Sequence, residues 1–115
     1  MPFIREYTND EKLVEDIKKL SENGVRRDDV YVLSHDDDRT KRIANNAGAN
    51  TIGFSEQDLK NAVGNMFAKK GDELRSKLQE IGFSEAESEN YEEDMDEGKV
   101  LLIVTGNDNI ESYLA

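Results

Sequence analysis

Residues 3–33 read FIREYTNDEKLVEDIKKLSENGVRRDDVYVL, and the reading of this stretch decides the fold. Phe3 to Tyr7 predict a short strand. Thr8 follows as a helix N-cap, with Glu11 three residues on to complete a capping box. Leu13, Val14, Ile17 and Leu20 then recur at helical spacing, so one face of the predicted helix is apolar. Asn23-Gly24 supplies a left-handed stop. Val30-Tyr31-Val32-Leu33 is apolar on both alternating faces and short, which suits a strand covered on both sides. Strand, helix and strand make a βαβ unit, whose crossover is right-handed.

Working outward, Asp36 to Asp38 lead into a short helix from Arg39 to Ala44, broken by the turn formers of residues 45–50. Thr51 to Phe54 reads either as a short strand or as an extended link. From Ser55 a helical stripe runs through Leu59, Ala62, Val63, Met66 and Phe67. Gly64 within it costs about 1 kcal/mol relative to Ala and suggests close packing. Asp72 is placed to cap a further helix bearing Leu74, Leu78 and Ile81, closed by Gly82. Ser84 and Glu87 form a capping box that opens a helix to about Glu97, with a thin apolar face of Ala86, Tyr91 and Met95. Val100 to Val104 is five apolar residues in a row and predicts a central strand. Residues 106–115 read as a polar tail that frays.

The predicted fold is therefore a small two-layer α/β domain, a three- or four-stranded sheet with helices packed on it. A ferredoxin-like arrangement follows if Thr51 to Phe54 pairs as an antiparallel strand, and a three-stranded open sheet if it does not. One domain over residues 1–105 with a C-terminal tail at 106–115 accounts for the 115 residues.

Composition narrows the function classes. The chain has no Cys, so disulfides, thiolate catalysis and Cys-ligated metals are excluded. No apolar run approaches the roughly 20 residues that span a bilayer, and charges occupy the N-terminus where a signal peptide needs its apolar segment. The expectation is a cytoplasmic protein with no membrane role. Net charge is −11, which repels phosphate backbones, so no nucleic-acid partner is expected. The charge is uneven: −5 over residues 1–38, +3 over 39–82 and −9 over 83–115.

Ser34-His35-Asp36-Asp37-Asp38-Arg39 carries the most chemistry. It follows a predicted strand, where open α/β sheets place ligands. His35, the only histidine, and Asp36, Asp37 and Asp38 offer donors for a hard divalent cation, with Arg39 beside them. The plainer account makes the aspartates caps and first-turn acids of the next helix, since consecutive side chains point in different directions. Ser34-His35 is no nucleophile–base pair, because neighbours on a strand face opposite ways. Arg39, Lys41 and Arg42 with Lys69 and Lys70 lack any glycine-rich phosphate loop, so solvated helix faces explain them better than an anion site. Residues 85–97 hold eight carboxylates and no base. They read as a solvated helix face or as a recruiter of a basic partner. Tyr91, Met95 and Phe67 are candidate self-association residues, with core packing as the plainer account.

Three stretches carry a resemblance: MPFIREY at 1–7, YVLSHDDDRTKRIANNAGANTIG at 31–53, and AVGNMFAKKGDELRSKL at 62–78 followed by Gly-x-Ser-x-x-Glu and KVLLIV. In this order they are similar to the general stress protein 17M (YflT-type, heat-induced stress protein) family, across roughly Pro2 to Thr105. The resemblance implies a cytoplasmic setting in the general stress response and brings no catalytic residue set. Related domains carry a Gly/Ala-rich apolar hairpin where this chain has amphipathic helices.

The leading expectation is thus a non-enzymatic stress-response protein acting through protein–protein contact, homodimerisation included, with no cofactor. The alternative is a small-ligand or divalent-metal-binding domain using His35 to Arg39, extending to a metal-dependent hydrolase built on the same aspartates.

Overall fold

The computed structural model describes residues 2–36, 38–39, 41–43, 56–68, 71–106 and 109–114. Strand β1 (Phe3–Tyr7), helix α1 (Asp10–Glu22) and strand β2 (Val30–Ser34) form the expected βαβ unit, with a single 3₁₀ turn at Arg27–Asp29 before β2. Next come α2 (Glu56–Ala62), β3 (Asn65–Ala68), α3 (Gly71–Ile81), α4 (Glu85–Asp96), β4 (Val100–Val104) and α5 (Ile110–Tyr113).

The four strands form one mixed sheet in the order β1-β4-β2-β3. β4 is antiparallel to both neighbours, pairing Phe3 with Val104 on one side and Val30 with Val104 on the other. β1 and β2 are therefore parallel to each other with β4 inserted between them. β3 adds to β2 in parallel, from Tyr31 opposite Asn65 to Ser34 opposite Ala68. All five β4 residues are fully buried, as an apolar run on an interior strand requires.

Strand periodicity divides the core in two. Val100, Leu102 and Val104 meet Leu13, Val14, Ile17 and Leu20 of α1 on one face. Leu101 and Ile103 meet Leu74, Leu78, Phe83 and Met95 of α3, α4 and their link on the other. Helices thus cover both faces and the domain has three layers, not the two expected. The α/β sheet with helices packed on it is as expected, and only the layer count differs, because α3 and α4 pack together over the face opposite α1. The arrangement is not ferredoxin-like either, since the fourth strand is Asn65–Ala68 and it pairs in parallel. Thr51 to Phe54 lies outside the described residues.

The predicted helix through Met66 and Phe67 stops at Ala62 instead. Gly64 explains the break. Its N–H donates to the Arg27 carbonyl at 2.7 Å, and a Cβ there would lie 2.6 Å from the same oxygen. Asn65 then donates from Nδ2 to the carbonyls of Asp28 and Val30 at 3.1 and 3.3 Å, which fixes the register of β3.

Helix α1 is capped by Asn9 rather than Thr8. Asn9 Oδ1 accepts from the amides of Glu11 and Lys12 at 2.9 and 3.2 Å, while the Thr8 carbonyl is engaged by Arg39. Asp72 sits in the first turn of α3, which opens at Gly71. The Ser84–Glu87 capping box of α4 is present with both bonds. Gly98 closes that helix at φ +99°, a conformation few side chains tolerate. The segment expected to fray contributes Ile110 and Leu114, both buried, to the core beside α1. Among the described residues no helix is long and apolar enough to cross a membrane.

Candidate functional site

Because β4 runs opposite to the others, its first residues meet the carboxyl ends of β1 and β2 at one edge of the sheet. Open α/β sheets bind ligands at such an edge. Ser34 ends β2, buried, and its hydroxyl donates to the Asp36 carbonyl at 3.0 Å. This bends the chain over the edge and opens a cavity of about 280 Å³ that includes Ser34, His35, Asp36, Arg39, Asp96 and Lys99 in its lining.

The segment from His35 to Arg39 is placed in three different ways. Asp36 Oδ1 accepts from the Asp38 amide at 2.8 Å and its carbonyl accepts from the Arg39 amide at 3.1 Å, so Asp36 caps the turn that Asp38 and Arg39 begin. Asp38 is exposed, and Asp37 lies outside the described residues. Arg39 faces the neighbouring loops. Its Nε donates to Asp10 Oδ1 at 3.1 Å, Nη1 to the Gly98 carbonyl at 2.6 Å and Nη2 to the Thr8 carbonyl at 3.0 Å. One guanidinium thereby ties the end of β1, the start of α1 and the approach to β4.

His35 turns the other way. It lies two residues beyond Leu33, and the strand's period of two carries both toward α4. Nδ1 lies 3.0 Å from Asp96 Oδ1 and Nε2 lies 3.7 Å from Glu92 Oε1. The imidazole side chain is only 10% exposed. At 3.7 Å the Glu92 contact is too long for a hydrogen bond, and Nε2 is buried without a hydrogen-bond partner among the described residues. Glu92 is itself held from behind: Oε1 accepts from the Gly71 amide at 3.1 Å, and Arg75 Nη1 lies 3.8 Å from Oε2. Arg75 also pairs with Asp72. That contact raises its pKa further above the ordinary guanidinium value.

The carboxylates that meet His35 are therefore Glu92 and Asp96, not Asp36 or Asp38. Their spacing of four residues within a helical acidic run was visible in the sequence. Which face of α4 would turn toward β2 was not.

Of the candidate interaction residues, Met95 is buried in the core beside α3 and also lines the cavity. Tyr91 is partly buried and stacks edge-to-face on Phe83 with ring centroids 5.5 Å apart. Burial first, then the carboxylates of Glu87, Glu6 and Asp94, push its phenol above the ordinary value. Phe67, on the edge strand β3, lies under the Lys77 ammonium at 4.6 Å, beside a second cavity of about 410 Å³ along α3. Glu6 of β1 faces Asp94 of α4; burial, then that neighbouring carboxylate, raise the Glu6 pKa.

Residues 2–98 match the family model described as the heat-induced stress protein YflT domain. The chain is 57% identical over 112 residues to general stress protein 17M of Bacillus subtilis (strain 168), covering 97% of each chain. No solved structure matches it.

Proposed function

As the chain belongs to the heat-induced stress protein YflT family, we propose that it serves the general stress response in the cytoplasm as a non-enzymatic domain that binds a basic protein surface. The observation that carries this reading is the outer face of α4. Glu85, Glu89 and Glu93 are exposed one turn apart, the helix has no basic residue, and its last turn lacks the usual cation. Like charges at i, i+4 destabilise a helix by about 0.2–0.5 kcal/mol per pair, and acids near the carboxyl end oppose the macrodipole as well. A face kept at that cost suits a cationic partner, which relieves the repulsion on binding. The same charge disfavours a homodimer through α4. Arg39 supports the non-catalytic side of the reading, since its guanidinium is bonded on three sides to its own chain.

The test places a photo-crosslinking residue at Asn90 on the same helix in stressed cells of a bacterium that makes the protein. A discrete adduct with a basic protein is expected, lost when Glu85, Glu89 and Glu93 are all changed to Gln. An adduct that survives those changes, or one with a second copy of the chain at a mass that rises with concentration, overturns the reading.

A further inference from the structure

We propose that His35, Glu92 and Asp96 form a binding site for a divalent transition cation of the zinc type. One ligand atom from each residue lies within 4.8 Å of the other two. Acidic clusters are common on protein surfaces, and this one is distinguished by the imidazole at its centre. His35 is nine-tenths buried, and its Nε2 points at Glu92 from 3.7 Å with no hydrogen-bond partner among the described residues. A buried, unpaired ring nitrogen costs free energy that a ligand relieves. Two atoms 3.7 Å apart are too far for a hydrogen bond, yet close to the separation of two ligands on one ion with bonds of about 2.0–2.2 Å.

The surroundings match what metal ligands require. A ligating carboxylate is normally fixed by outer hydrogen bonds, and Glu92 has the Gly71 amide and Arg75 behind it. Asp96 is 72% exposed, so its carboxylate can turn from Nδ1 toward the ion, and the adjoining cavity admits water to complete the shell. The elements also hold the three residues in place. His35 is fixed by the end of β2, while Glu92 and Asp96 occupy one face of a helix packed on the sheet. Two carboxylates and one imidazole, without sulfur, favour Zn²⁺ or Mn²⁺ over Mg²⁺, which takes oxygen ligands and keeps its water. The site is separate from the Glu85–Glu93 face, so its failure leaves the proposed function standing, and the reverse.

The single histidine makes the test direct. Imidazole NMR resonances of the whole chain are followed at neutral pH while Zn²⁺ is added, with Mg²⁺ in parallel. The expected result is a saturable shift at one equivalent of Zn²⁺, no response to Mg²⁺, and a rise in melting temperature with free Zn²⁺. Asp96→Asn, at an exposed position that leaves the fold intact, should weaken Zn²⁺ by about tenfold or more, and Glu15→Gln, exposed on α1 and outside both sites, should leave Zn²⁺ affinity unchanged. An unmoved imidazole, an equal response to Mg²⁺, or undiminished Zn²⁺ affinity in Asp96→Asn overturns the proposal.

Discussion

Replacing Arg39 by Lys separates two roles that a cation at the edge of an α/β sheet can have. In the structure all three donor-bearing nitrogens bond to the chain itself, and the side chain is 17% exposed. A lysine ammonium can keep one of these bonds and cannot span Asp10, Thr8 and Gly98 together. The carbonyls of Thr8 and Gly98 lie in exposed bonds, so water replaces the lost donors. Each bond is then worth about 1 kcal/mol rather than the larger figure for a buried charge. Arg39→Lys should therefore cost about 2 kcal/mol, and Arg39→Met somewhat more because the largely buried pair with Asp10 is lost too. For a domain of this size that is a fall in melting temperature of about 8 °C. Urea unfolding followed by far-ultraviolet circular dichroism at pH 7 measures it, with an unchanged m-value showing that the folded state is otherwise the same. A loss below about 0.5 kcal/mol, within the range of ordinary surface changes, accompanied by lost binding of phosphate or a nucleotide, would refute the clamp and make Arg39 a ligand residue.

Gly64→Ala should destabilise by about 1–3 kcal/mol, because the new methyl meets backbone atoms of Arg27 that cannot move alone. In a continuous helix the same change would stabilise by about 1 kcal/mol, so the sign of the shift in urea midpoint decides. Tyr7→Phe should cost about 2 kcal/mol at pH 7, since the phenol donates to the fully buried Asp16 at 2.5 Å. Burial, then the Asp16 carboxylate, raise the Tyr7 pKa. Its stabilisation is therefore complete below pH 10 and disappears as pH climbs through the raised value. Urea midpoints at pH 8 and pH 11 should fall further for the native chain than for Tyr7→Phe; a parallel fall would dismiss the coupling.

The βαβ unit was legible in the sequence because α1 and the strands around it state their periods unambiguously. β4 was legible for the same reason: a run apolar on both faces has to be interior. The third strand was not, since Leu59, Val63, Met66 and Phe67 satisfy a helical period as well as a break followed by a strand. What decides is the contact of Gly64 with Arg27, about which spacing along the chain says nothing. Both helices of the second layer were legible too; what spacing along the chain left open was that α3 and α4 pack together on the face opposite α1. Of the candidate site, His35 and its position at a strand's end were readable. Its partners were not, because the choice between Asp36 and Asp96 rests on how α4 docks. Asp36 caps its own turn, whereas Arg39, read as part of a solvated helix face, is bonded to neighbouring loops instead.

The insertion of β4 between β1 and β2 has a consequence for how the protein comes into being. Phe3 finds Val104 only across almost the whole chain, so the first two strands can lie in order yet share no backbone bond until the final one arrives. Closing such a loop is entropically slow, and the step belongs to the late, non-local class that governs folding rates. A nascent chain halted before Val100 would hold two unpaired strand edges and an uncovered apolar face, a state open to aggregation and to chaperones. β1 and β2 therefore gain their shared neighbour only after synthesis has passed Val104.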